Sequence, residues 1–304
     1  MRLLDLAVKG VQALNPYVPG KPIAELEREL GIRNIVKLAS NENPLGPSPL
    51  ALEAAARTLP ELHLYPDGGG FELKAALAEK LGIGTDQITL GNGSNDVLDM
   101  IARAFLGPEH SAVFSEYAFA VYPIVTQAVG AEGLCAPAHD GASGPQYGHD
   151  LEAMARAIRP DTRVVFIANP NNPTGTYLKR TELDAFLRAL PGHLIPVIDE
   201  AYFEYVHQGD YPNALNWLDE IPNLVVTRTF SKAYGLAGLR VGYAVSNPGV
   251  ADILNRLRQP FNVNTPAMAA ACAALHDSAH LQRGQTLNDE GLKLLGTALR
   301  SRGL

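Results

Sequence analysis

The stretch "TFSKAYGLAGLRVG", residues 229–242, sets Lys232 beside Ser231 and among small or apolar residues, at the end of the strand-like segment "NLVVTRTF". A solvated lysine titrates near ~10.4 and is a poor nucleophile at neutral pH. One held at the rim of a buried strand is a candidate nucleophilic amine. Arg240 follows eight positions later, beyond "GLAGL", where its planar guanidinium could close on a phosphate with two donors. A solvent-facing lysine on a loop is the plain alternative.

Three other stretches offer matching chemistry. In "VIDEAYFEY" (197–205), Asp199 ends an apolar run, and a carboxylate there is costly unless a cation meets it. Arg240, a metal or a protonated ring nitrogen could be that cation; a helix cap made by Asp199 and Glu200 is the structural alternative. "GNGSNDVL" (91–98) lacks the third glycine of a dinucleotide fingerprint and has Asp96 in its place, which argues against a nicotinamide site. What remains is a small-residue turn opening a helix, whose free N–H groups can hold a phosphate; an ordinary turn capped by Asn95 would read the same way. "NPNNPTG" (169–175) presents asparagine amides, Asn172 among them, after another apolar run. A Schiff-base lysine, a carboxylate for a pyridinium nitrogen, and a glycine turn with an arginine for a phosphate together make the list that pyridoxal phosphate requires.

These groups need a scaffold that brings them together. From about residue 48 to 247, short apolar runs alternate with helical patterns: "QITL", "AVF", "RVVFIA", "LIPVID" and "NLVVTRTF" read as strands. Their lack of polar alternation suits strands covered on both faces, and the alternation with helices suits an α/β fold with a mainly parallel sheet. Ser48 and Pro49 predict one helix start and Gly82 a helix end, while Thr181 with Asp184 predicts a capping box for a later helix. Ligands in such sheets bind at the carboxyl ends of strands. Gly91 to Ser94, Asn172, Asp199, Ser231 and Lys232 all fall there, so one rim is the predicted site.

The bulk properties agree with small-molecule chemistry. The 304 residues carry a formal net charge of −7, the wrong sign for a nucleic-acid footprint. Cys135 and Cys272 are far apart and form no CxxC pair, so no disulfide framework or thiolate metal site is expected, and a reducing cytoplasm is the predicted setting. The N-terminal twenty residues read as an amphipathic segment and not a signal peptide. No apolar run approaches the ~20 residues of a membrane span. The glycine-bearing loop "HDGASGPQYGHD" (139–150) and the pair His276 and His280 are read as structural, with no metal site predicted.

Taken in order, "LASNENPLGPSP", "YPDGGGFELKAALAEKLG", "GNGSNDVL", "NPNNPTG", "DEAYFEY" and "TFSKAYGLAGLRVGY" resemble the fold-type I aminotransferases, and within them the histidinol-phosphate aminotransferases. The resemblance spans about residues 37–243. It implies a three-layer αβα fold like that of aspartate aminotransferase, divided into an N-terminal arm with part of a small domain (1–44), a large cofactor domain (45–260) and the start of a C-terminal small domain (261–304). It implies that Lys232 would bind pyridoxal phosphate as a Schiff base and shuttle a proton, with Asp199 on the pyridine nitrogen. Asn172 and Tyr202 would bond the ring hydroxyl and Phe119 would stack on the ring. Gly93, Ser94, Thr229, Ser231 and Arg240 would hold the phosphate. Tyr65 would reach it from the other subunit of a homodimer. Tyr17, Asn43, Tyr65 and Asn172 would meet the substrate. The implied reaction moves an amino group between L-histidinol phosphate and 2-oxoglutarate; an aromatic aminotransferase and a threonine-phosphate decarboxylase share these motifs. Family members usually continue beyond "GTALRSRGL", so the chain is expected to lack the rest of the small domain with its substrate arginines, and a form without turnover is a further expectation.

Overall fold

A computed structural model describes residues 2–303. Its centre is one seven-stranded sheet formed by β1 (Ile88–Gly91), β2 (Ser111–Ser115), β3 (Glu132–Ala136), β4 (Thr162–Ala168), β5 (Ile195–Asp199), β6 (Val225–Thr229) and β7 (Gly242–Ser246). The spatial order is β1-β7-β6-β5-β4-β2-β3. β7 runs antiparallel to both β1 and β6, and the other neighbours are parallel. The mainly parallel sheet expected from sequence is therefore present with one reversed strand inside it.

The helices are α1 (Lys9–Gln12), α2 (Ile23–Leu30), α3 (Pro49–Thr58), α4 (Phe71–Leu81), α5 (Ser94–Phe105), α6 (Val121–Ala128), α7 (Leu151–Ala157), α8 (Arg180–Ala189), α9 (Pro248–Leu257), α10 (Thr265–His276) and α11 (Ser278–Arg300). Period-two alternation along the strands sends successive residues to opposite faces. Val165 and Ile167 of β4 join one core with Leu73 and Leu77 of α4, Leu183 of α8 and Ala270 of α10. Val164, Phe166 and Ala168 join a second core with Val97 and Ile101 of α5, Tyr122 of α6 and Leu254 of α9. Two cores on one sheet give the three-layer αβα arrangement. Because α10 packs against α3 and α4, the first core runs across the division expected at residue 260.

Local signals account for several boundaries. The Ser48 hydroxyl accepts from the Leu50 N–H at 3.1 Å and Pro49 opens α3, while Gly82 ends α4 with φ +69°. The capping box predicted at Thr181 and Asp184 is absent, and α8 starts with half of one: the carboxylate of Glu182 accepts from the Lys179 N–H at 2.8 Å, with no acceptor on the lysine side chain to complete it. Asp184 instead pairs with Arg188 and accepts from the Trp217 indole. α5 starts at Ser94, with Gly93 and not Asn95 at the cap position.

Candidate active site

The sheet's topology places four strand ends at one edge. Ala168 of β4 lies beside Asp199 of β5 in register. Gly242, the first residue of β7, faces Thr229 on one side and Gly91 on the other, so the reversed strand begins where its neighbours end. A cleft of about 790 Å³ opens there, lined by Tyr17, Ser94, Phe119, Asn172, Asp199, Tyr202, Thr229, Ser231, Lys232 and Arg240. Ten of the residues singled out from sequence thus share one cavity. A second cleft of about 690 Å³, between the 139–150 loop and α8, contains none of them.

Asp199 is buried. Its Oδ2 accepts from the Tyr122 hydroxyl at 2.9 Å and its Oδ1 from the Thr227 hydroxyl at 3.0 Å. Burial pushes its pKa above the ordinary 3.8, against these two donors and the charge of Lys232. Among the described residues no lysine, arginine or histidine forms an ion pair with it, Arg240 included. Its neighbour Glu200 is different: that carboxylate accepts from Arg228 Nε at 2.9 Å and Nη2 at 2.7 Å, and from the Ala214 N–H at 3.0 Å. Glu200 is neutralised by a buried guanidinium, whereas Asp199 lines the cleft and is held by two hydroxyls.

Lys232 Nζ donates to the Ser40 carbonyl at 2.8 Å and stands 5.6 Å from the centre of the Tyr202 ring. Burial, helped by Arg240 and Lys37, lowers its pKa below 10.5 despite Glu42 and Asp199. The effect raises the share of free amine at a given pH. The Tyr202 hydroxyl accepts from Asn41 Nδ2 at 2.9 Å. Ser40 and Asn41, neither of them foreseen, reach over the cleft through left-handed backbone conformations with φ +74° and +51°.

The end of the cleft at Gly93 and Arg240 is built from close backbone approach. Gly93 has φ +84°, and a Cβ there would overlap the Arg240 guanidinium; a Cβ at Gly242 would stand 2.5 Å from the Ser94 nitrogen. Arg240 Nη1 lies 3.4 Å from Ser231 Oγ and donates to the Ala237 carbonyl at 3.1 Å. The start of the twelve-residue α5, the hydroxyls of Ser94, Thr229 and Ser231 and the Arg240 guanidinium line this end of the cleft together, a donor set able to hold an anion.

Two predicted residues stand elsewhere. Asn43 does not line the cleft: its amide donates to the Ala233 carbonyl at 2.9 Å and its oxygen accepts from the Leu45 N–H at 2.9 Å. It braces the turn that carries Lys232. Tyr65 is 83% exposed and stacks on Phe261, with ring centres 4.8 Å apart. Tyr122 and Thr227 were missed from sequence, although Tyr122 follows Phe119 by three residues and Thr227 is the register partner of Asp199. Among the described residues no group of three or more His, Cys, Asp or Glu could hold a metal, and no helix is long and apolar enough to cross a membrane.

The pattern of aminotransferase class I and II matches residues 33–296. The chain is 65% identical over 303 residues to histidinol-phosphate aminotransferase 2 of Methylococcus capsulatus, covering all of this chain and 82% of that protein. It is 57% identical to histidinol-phosphate aminotransferase 1 of Nitrosococcus oceani, covering 99% of this chain and 80% of that one. Among solved structures, histidinol-phosphate aminotransferase from Sinorhizobium meliloti in complex with pyridoxal 5′-phosphate superposes with a TM-score of 0.88 at 30% identity, over 98% of this chain and 78% of its own. A Thermus thermophilus aspartate aminotransferase variant shares the fold, with a TM-score of 0.79 at 23% identity over 95% of this chain and 80% of its own.

Proposed function

The chain belongs to the class I and II aminotransferases, and from that premise we propose how its cleft carries out the histidinol-phosphate aminotransferase reaction with pyridoxal 5′-phosphate. The reaction exchanges an amino group between L-histidinol phosphate and 2-oxoglutarate, in histidine biosynthesis. One observation carries the residue assignment: a buried carboxylate with no cationic partner among the described residues shares a cleft with a lysine of lowered pKa and a set of anion-binding donors. That donor set fits a phosphorylated pyridine aldehyde. It supplies a counter-charge for a protonated ring nitrogen, an amine for the aldehyde and donors for the phosphate.

When bound, the cofactor supplies an electron sink for the pair left on the substrate's α-carbon. The chain's own residues do the rest. Asp199 balances the positive ring nitrogen and so keeps the sink strong. Lys232 would hold the cofactor through its aldehyde, and its amine, lowered in pKa by burial, would serve as the base that moves the proton at the substrate's α-carbon. Ser94, Thr229, Ser231 and Arg240, with the backbone at Gly93, grip the phosphate. Phe119 forms an aromatic wall, Asn172 and Tyr202 orient the ring hydroxyl, and Tyr17 borders the substrate's approach. Tyr65, pointing outward from its own protomer, serves the partner's site in a homodimer. Two free cysteines, Cys135 and Cys272, agree with a cytoplasmic setting.

The test is a comparison of amino donors on the cofactor-loaded protein. L-Histidinol phosphate with 2-oxoglutarate is expected to give glutamate with the highest kcat/KM. A clear preference for phenylalanine or tyrosine, or release of CO2 from threonine phosphate without a keto product, would overturn the substrate assignment.

A further inference from the structure

Tyr122 is fully buried and its phenol has a pKa well above the ordinary 10, chiefly through burial and then the charge of Asp199. It takes no part in the steps above, so its hydrogen bond needs another explanation. A phenylalanine would fill an apolar position beside the sheet at lower cost, since a buried hydroxyl must find a partner. Here the partner is the acid beneath the cofactor site, at 2.9 Å.

We propose that Tyr122 is a positioning residue for this reaction: with Thr227 it fixes the plane of the Asp199 carboxylate and keeps it charged opposite the pyridine nitrogen. The inference rests on the cofactor reading above. The two hydroxyls take one oxygen each, so neither carboxylate oxygen can rotate without losing a charge-assisted bond. Tyr122 is itself immobilised. Its ring stacks on Phe166 with centres 4.9 Å apart and planes within 4°, and it meets Phe119 edge-on at 5.8 Å. Phe119 and Asp199 both line the cleft. One buried tyrosine therefore sets both the acid and the aromatic wall, which links α6 to the end of β5. Thr227 reaches Asp199 from the adjoining strand because the two residues are register partners.

The sign of the effect follows from proton sharing. Removing a donor makes Asp199 a stronger base, so it draws the shared proton away from the ring nitrogen and weakens the electron sink. Tyr122→Phe keeps the ring and its stacking; Thr227→Val removes the other hydroxyl at nearly constant shape. Both holoproteins would be examined with cofactor labelled by ¹⁵N in the ring. The expected result is a ring-nitrogen resonance shifted toward that of neutral pyridine in each variant, with kcat lower by on the order of tenfold and KM little changed. A purely structural role would change thermal stability and leave the resonance in place. Wild-type resonance and kcat in both variants would overturn the proposal; should Tyr122→Phe fail to fold, Thr227→Val alone decides. Failure of the wild-type protein to take cofactor on Lys232 would instead sink the reading on which the inference rests.

Discussion

At the scale of single residues, the cleft concentrates two groups whose charged forms are penalised by burial. Lys232 has a lowered pKa, so the rate at which cofactor-free protein captures pyridoxal phosphate should rise with pH around a midpoint below the 10.5 of an ordinary lysine. Stopped-flow absorbance across pH 6–11 measures it, and a midpoint at or above 10.5 would contradict the assignment. Asp199 is shifted the other way, upward through burial. A carboxyl with a raised folded pKa favours the folded state when protonated, and that contribution is lost as pH rises through the folded value. Asp199→Asn should therefore raise the Tm of the cofactor-free protein at pH 7, and the gap should close as the pH falls through the raised pKa. The same change should lower kcat on the order of a hundredfold or more, because a neutral amide cannot balance a charged ring nitrogen. Asp199 was legible in the sequence because it ends an apolar run, and Lys232 because it follows a strand-like segment among small and apolar residues. Tyr122 was not, since a tyrosine in an apolar helix gives no sign of which group its hydroxyl meets. Asn43 misled for a similar reason: its amide is consumed by backbone next to Lys232.

At the scale of elements, the strands with uninterrupted apolar residues were readable, and two were not. β3 is an edge strand with largely exposed residues, so burial imposes no apolar run on it. β7 follows Arg240 so closely that the "RVGY" motif masks its start. Its reversal could not be read from periodicity, yet it is what brings Gly242 between Gly91 and Thr229. The proposed phosphate cradle depends on that meeting. Gly93→Ala adds a Cβ into the Arg240 guanidinium at a backbone angle of φ +84°; the displaced arginine and the strained turn should raise the cofactor's Kd by about tenfold or more. Fluorescence titration with pyridoxal phosphate reads the change, and an unaltered Kd would show that the turn and Arg240 do not hold the phosphate together.

At the scale of the whole molecule, apolar surface is concentrated toward the N-terminal side of the chain: Leu3, Leu6, Val18, Val36, Leu38, Leu64 and Phe71 are all exposed, with Tyr65 among them. A homodimer would cover such a surface and would give Tyr65 a site to serve. The hypothesis makes a stringent demand on mixed dimers. Lys232→Ala and Tyr65→Ala proteins should each be weak or inactive alone. Refolded together, they should regain activity, because each heterodimer holds one site with its own Lys232 and the partner's intact tyrosine. Activity that stays at the level of the separate variants, in a mixture shown by tagged purification to contain heterodimers, would place Tyr65 outside the partner's site.

The covalent role of Lys232 admits the most direct measurement. Protein loaded with pyridoxal phosphate would be reduced with borohydride, digested and mapped by mass spectrometry. The account predicts a single pyridoxyl group on Lys232 and none in Lys232→Ala; a label on another lysine, or an undiminished yield in that variant, would contradict it.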